Sequence, residues 1–156
     1  MPKSTSHKAW FITGASKGFG FVWTEAALAR GDSVAAAARN IGSLDKLKVK
    51  YGDRLLPLTL DVGDKGAVDA SVKQAHQRFG RIDVAINNAG YGLFGAIEEV
   101  SEQEARAQIE TNLFGSVGDP GRPAHHAGAA FWPHYPDLLR RRYFCGADCR
   151  DRKSVV

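Results

Sequence analysis

Residues Thr13 to Gly20 read TGASKGFG, and this stretch decides the fold. Before it, Lys8-Ala-Trp-Phe-Ile12 is a short apolar run of the kind a buried strand needs. After it, Phe21 to Arg30 reads as an apolar helix closed by Gly31. A glycine turn between strand and helix lets backbone N–H groups approach a pyrophosphate, with the positive end of the helix macrodipole behind them. The spacing is Gly14-x-x-x-Gly18-x-Gly20 rather than the commoner Gly-x-Gly-x-x-Gly. The glycines alone therefore also suit a tight loop that merely needs positive φ. The surrounding pattern has to decide.

Working outward, Ser33 to Ala38 and Leu55 to Leu60 are two further apolar runs, with a helix expected between them over Ser43 to Tyr51. Pro57 counts against the third strand, because proline removes a ladder donor. Lys65 to Phe79 carries Val68, Val72, Ala75 and Phe79 at spacings of 4, 3 and 4, which gives a helix one apolar face. Asp83 to Asn87 is the next strand. Ser101-Glu-Gln-Glu104 is a capping box, in which the serine and Glu104 satisfy free amides at a helix start. Ala105, Ile109 and Leu113 then recur every four residues, and the pattern runs to Gly115. Strands alternating with helices of this length predict right-handed crossovers and a parallel sheet covered on both faces. The fold class is α/β, a doubly wound sheet of Rossmann type in three layers.

That context favours a dinucleotide site at the glycine turn. Such sites usually carry a carboxylate at the end of the second strand, where it holds the ribose hydroxyls of NAD. Here the strand ends Ala36-Ala37-Ala38-Arg39 with no acid. Arg39 suits a 2′-phosphate through its planar donor fork, and Lys17 inside the glycine turn can reach the same group. Two cations in place of the acid point to NADP(H).

TGASKGFG, Leu60-Asp-Val62, Asn87-Asn-Ala-Gly90 and Thr111-Asn112 together resemble, in order and spacing, the short-chain dehydrogenase/reductase family over about residues 8–115. The first and third motifs are quite specific; the second alone would mean nothing. The resemblance implies an NAD(P)-dependent oxidoreductase acting on a carbonyl/alcohol pair. It makes Gly14, Ser16, Gly18, Phe19 and Gly20 the pyrophosphate turn, and Lys17 and Arg39 the 2′-phosphate contacts. It sets Asp61 and Val62 beside the adenine, and has Asn88, Ala89 and Gly90 line the cofactor ribose and brace the sheet. Asn112 matches the family's catalytic asparagine, which holds a proton-relay water by kinking its helix. The resemblance also suggests homo-oligomers.

The family's chemistry further needs a tyrosine as general acid/base, a lysine four residues on to lower its pKa, and a serine to orient the carbonyl. The residues four positions after Tyr51, Tyr91, Tyr135 and Tyr143 are Leu55, Gly95, Leu139 and Ala147, so no Tyr-x-x-x-Lys occurs. Beyond Gly115 the grammar changes. Residues 116–156 hold both cysteines, three of the five histidines and four of the six prolines, and show no period that would bury a face. Shifting the codons of Ser116 to Ala130 by one nucleotide permits Leu-Trp-Val-Thr-Gln-Ala-Val-Leu-Pro-Ile-Met-Arg-Glu-Gln, an amphipathic helix. From Phe131 to Arg142 the same shift permits Ser-Gly-His-Ile-Ile-Gln-Ile-Ser-Ser-Val-Gly, a strand with a serine-bearing end. Trp132 followed by Pro133 forces that first glycine. The expectation is a frameshift near Gly115 and Ser116, leaving a truncated Rossmann-type domain over 1–115 and a poorly structured, out-of-frame tail over 116–156.

Composition narrows the remaining classes. The net charge is +4, but the tail's seven basic residues against four aspartates supply +3 of it, leaving +1 for the first 115 residues. No nucleic-acid partner is expected from so weak a bias. No apolar stretch approaches a membrane span and no targeting run follows Met1, so the expected location is cytoplasmic. Cys145-x-x-x-Cys149 with His125, His126 and His134 matches no standard zinc spacing, and no metal is expected. Three readings stand: an NADP(H)-dependent reductase or dehydrogenase, inactive in this copy; a non-catalytic NADP(H)-binding module; or a truncation product without function.

Overall fold

A computed structural model describes residues 7–113 and 115. Strand β1 (Ala9–Thr13) leads through the glycine turn into helix α1 (Gly18–Ala29), followed by β2 (Ser33–Ala38). A 3-10 turn (Gly42–Leu44) opens α2 (Asp45–Tyr51), and β3 (Leu55–Thr59), α3 (Lys65–Phe79), β4 (Val84–Ile86) and α4 (Glu102–Asn112) complete the described chain. All strand pairings are parallel, in the order β3-β2-β1-β4. Pro57 does lie in a strand, and the order accounts for it. Within the described sheet β3 pairs only with β2, and an edge strand tolerates a residue with no donor.

The period-2 alternation of the strands separates two cores. Phe11, Ala35, Ala37 and Leu58 face Val68, Val72 and Ala75 of α3. Ile12, Val34, Ala36 and Leu55 pack on the other side with Ala27 and Leu28 of α1 and with Leu44 and Leu47. Each fully buried leucine or valine is worth roughly 1.5–3 kcal/mol, so these interdigitated faces hold the three layers together. The alanines of the inner strand β2 are buried on both faces, as a sheet sandwiched between helices requires.

Two buried aspartates tie down the amino-terminal ends of the strands. Asp83 accepts from the Ala9 amide at 2.9 Å and from the Arg81 guanidinium. Asp32 accepts from the Lys8 amide at 3.0 Å, the Trp10 indole at 2.9 Å and the Arg30 guanidinium at 3.2 Å. With both sets of bonds in place, the start of β1 is fixed to the segments that open β2 and β4.

The capping box forms: the Glu104 amide donates to Ser101 Oγ, and the Ser101 amide donates to Glu104 Oε2. The helix it opens ends at Asn112, earlier than the apolar repeat predicts. Gly115 sits so close to Val62, in the turn after β3, that a Cβ would stand 2.8 Å from its Cγ2. The predicted stripe of α4 is not buried either, with Ile109 and Leu113 about half exposed. Nothing among the described residues covers it.

Candidate functional site: a cleft at the carboxyl ends of the strands

The crossover helices α1 and α2 lie on one face of the sheet and α3 on the other, so the strand order reverses between β1 and β4. At that switch point the chains leaving neighbouring parallel strands diverge and open a crevice. A cleft of about 540 Å3 lies there. It is lined by Gly14, Ser16, Lys17, Gly18 and Phe19 of the glycine turn, by Ala38 and Arg39 after β2, by Leu60, Asp61 and Val62 after β3, and by Asn88, Ala89 and Gly90 after β4.

The turn is held in shape by contacts that only glycine permits. Gly14 has φ 66°, and a Cβ there would stand 2.8 Å from Ala89 Cα. Gly20 lies beneath the turn rather than on the cleft wall. A Cβ on it would come within 2.4 Å of the Gly14 carbonyl oxygen. The Thr24 hydroxyl donates to the Gly20 carbonyl at 2.7 Å, fixing the helix start from below.

Asn88 ties this turn to β4. Its side-chain amide donates to the carbonyls of Thr13 and Gly14, both at 3.1 Å. The backbone amides of Asn88 and Ala89 donate to Thr13 Oγ1 at 3.0 and 3.1 Å. Thr13 itself was not singled out from sequence, although a threonine closing a strand just before the glycine turn was the available signal. Its hydroxyl is buried and joins the two strand ends that frame the cleft.

The walls bring two cations and the start of a helix together. Lys17, the N-cap residue of α1, is extended and makes no side-chain cap, and no acid lies in the first helical turn. The first amides of the helix are therefore free to meet a ligand. The side chains of Lys17 and Arg39 are exposed and make no ion pair among the described residues. Among the described residues Asp61 is the single carboxylate on the cleft wall, and its Oδ1 accepts from the Gly63 amide at 3.0 Å.

Asn112 lies at the cleft margin rather than on its wall. Its side chain clamps the backbone of Tyr91: Oδ1 accepts from the Tyr91 amide at 2.9 Å and Nδ2 donates to the Tyr91 carbonyl at 2.8 Å. Gln108 adds a second bond to that carbonyl at 3.2 Å. Tyr91 and Thr111 do line the cleft, although the sequence assigns neither a role there. Tyr91 directly follows the Asn-Asn-Ala-Gly motif, and Thr111 directly precedes Asn112.

Among the described residues no group of three or more His, Cys, Asp or Glu side chains is placed to hold a metal, and no helix is long and apolar enough to cross a membrane. The cysteines, the histidines near them and the altered frame expected after Gly115 lie outside the described residues.

Comparison with known proteins agrees with this architecture. The family model described as short chain dehydrogenase matches residues 8–118. A curated relative, Oxidoreductase BOA17 of Botryotinia fuckeliana, is 50% identical over 111 residues, covering 70% of this chain and 40% of the relative. An alcohol dehydrogenase from Thermococcus sibiricus, solved with 5-hydroxy-NADP, superposes with a TM-score of 0.65 at 37% identity, covering 70% of this chain and 48% of that one. A 3-ketoacyl-(acyl-carrier-protein) reductase from Brucella melitensis, solved with NADH, gives 0.65 at 30% identity, covering 69% and 45%. The chain thus spans less than half the length of these proteins. With the switch-point cleft, the glycine turn and the Asn-Asn-Ala-Gly brace all in place over the matched residues, the chain belongs to the short-chain dehydrogenase family.

Proposed function

We propose that this cleft binds NADP(H), and that the intact protein is an oxidoreductase acting on a carbonyl/alcohol pair. The observation that carries the reading is Arg39 at the end of β2, where a carboxylate would favour NAD, lining one cleft with Lys17. In this reading the free amides of the α1 start, beside Gly14, Ser16, Gly18 and Phe19, receive the pyrophosphate. Gly20 allows the turn to close on itself. Lys17 and Arg39 neutralise the 2′-phosphate, Asp61 and Val62 flank the adenine, and Asn88, Ala89 and Gly90 wall the ribose side. When bound, the cofactor supplies or accepts a hydride at its nicotinamide. Asn112, by fixing Tyr91 at the cleft margin, is the one catalytic position this chain retains.

The chain contains no Tyr-x-x-x-Lys to move the proton, so this copy is proposed to be frameshifted and inactive while keeping its cofactor residues. Titration of the purified protein with NADPH and NADH, followed by nicotinamide fluorescence, tests the cofactor reading. NADPH should bind saturably and about tenfold or more tighter than NADH, the scale of one or two charge-assisted contacts. Equal affinities, or no saturation by either, overturn it. Sequencing the coding DNA from Glu110 onward tests the frameshift: a corrected frame should read into Tyr-x-x-x-Lys, and an unbroken frame with no such continuation removes the proposal. Cofactor binding without turnover is also what a non-catalytic NADP(H)-binding module would give, and the fact favouring that second reading is that every proposed cofactor residue lies within the described fold.

A further inference from the structure

Beside Lys17 the cleft adjoins a second, shallower hollow of about 780 Å3. One wall is the glycine turn with Lys17. Phe21 and Val22 of α1 form its largely apolar floor, and the other wall is Gly42, Ser43 and Lys46, which belong to neither the glycine turn nor the strand ends. Local structure explains how they reach it. Immediately after Arg39, the Gly42 amide donates to Asn40 Oδ1 at 2.9 Å and turns the chain. Leu44 and Leu47, three residues apart, are buried against the sheet, so Ser43 and Lys46 share the outer side of the segment.

Lys46 makes no ion pair or hydrogen bond among the described residues. Its neighbours on α2 are engaged: Lys48 donates to the Gly52 and Leu55 carbonyls, and Lys50 pairs with Glu25 at 3.3 Å. Among the described residues no acid lines the second hollow, and Asp45 beside Lys46 does not reach it. Lys17 lines both hollows, beside Arg39 in the cleft and beside Lys46 in the second.

We propose that Lys46, assisted by the Ser43 hydroxyl, is a third contact for the phosphomonoester on the 2′ position of the bound nucleotide, and so a determinant of cofactor choice. The inference rests on the NADP(H) reading above. A phosphomonoester carries close to two negative charges and three acceptor oxygens, more than one arginine fork satisfies. Lysine suits the third place because its flexible stem lets the ammonium move to the anion. Lys46 is exposed, so solvent and salt screen it and its effect is moderate.

The test is calorimetric titration of the full chain with adenosine 2′,5′-bisphosphate and with AMP, ligands that need only the adenosine end of the cleft. Lys46→Gln should weaken the bisphosphate roughly three- to tenfold while AMP changes less than about twofold, and the difference should shrink as salt rises. Lys46→Arg should retain the preference. Lys73→Gln, an equal change of charge at an exposed position on α3, should move neither ligand. If wild type prefers the bisphosphate and Lys46→Gln keeps that preference, or Lys73→Gln reduces it as much, the Lys46 contact is refuted and the cofactor reading stands. If wild type binds both ligands alike, or neither, the cofactor reading fails and takes Lys46 with it.

Discussion

Gly18 and Gly20 stand two residues apart in one turn yet are needed for different reasons. Gly18 adopts φ 57° with no atom within 4 Å of where a Cβ would project, so an alanine there meets only the left-handed backbone penalty. Gly20 lies in the first turn of α1, where alanine is otherwise welcome, but its Cβ would strike the Gly14 carbonyl oxygen. A backbone atom cannot swing aside as a side chain can. Gly20→Ala should therefore cost about 2–3 kcal/mol as the turn is forced open. Gly18→Ala should cost about 1 kcal/mol, part of its strain being offset by a stiffer unfolded chain. Urea denaturation of the two variants orders them. A Gly18→Ala protein as unstable as Gly20→Ala would mean that backbone conformation, not close approach, dictates the second glycine.

At the scale of elements, α4 shows both what sequence discloses and what it conceals. Its capping box was legible because donor and acceptor lie three residues apart, and the box makes the helix pH-sensitive. Hydrogen bonds from the Ser101 side chain and backbone hold the Glu104 carboxyl below its usual range. A carboxylate with a depressed folded pKa stabilises fully above its unfolded value, about 4.3, and loses that contribution as pH falls through the folded one. Helical circular dichroism should thus decline in acid below about pH 4, with the part due to α4 missing in Glu104→Gln. An identical acid profile for that variant would sink the assignment. The strands were readable as short apolar runs, and α3 from its helical spacing. The bonds from Asn88 to Thr13 and from Asp83 to Ala9 cross 75 and 74 residues, and no periodicity reports a partner so distant. The apolar stripe of α4 misled for a related reason: a pattern states which face wants cover, while its burial depends on what packs there.

Across the whole molecule, the buried aspartates and the candidate cleft sit at opposite ends of the parallel strands. Asp32 and Asp83 secure the amino-terminal ends, while the cleft occupies the carboxyl ends, where the glycine turn is braced by Thr13 and Asn88. The two cores join the four strands to α1, α2 and α3, whereas among the described residues α4 contributes no buried residue and its side-chain hydrogen bonds to other segments go to the Tyr91 backbone. Local opening follows buried contact, so α4 can open without disturbing the sheet. Hydrogen exchange should find α4 amides exchanging at least about 100-fold faster than those of β2, which open only with global unfolding. Saturating adenosine 2′,5′-bisphosphate should slow exchange in the turn from Gly14 to Gly20 and leave most of α4 largely unchanged, because the helix meets the cleft at its last turn, through Thr111 and the Asn112 clamp on Tyr91. Protection of α4 equal to that of β2 in the free protein would show that something covers Ile109 and Leu113 in solution. Strong protection of α4 that appears only with ligand would instead make the Asn112 clamp on Tyr91 a mechanical link between cofactor and helix.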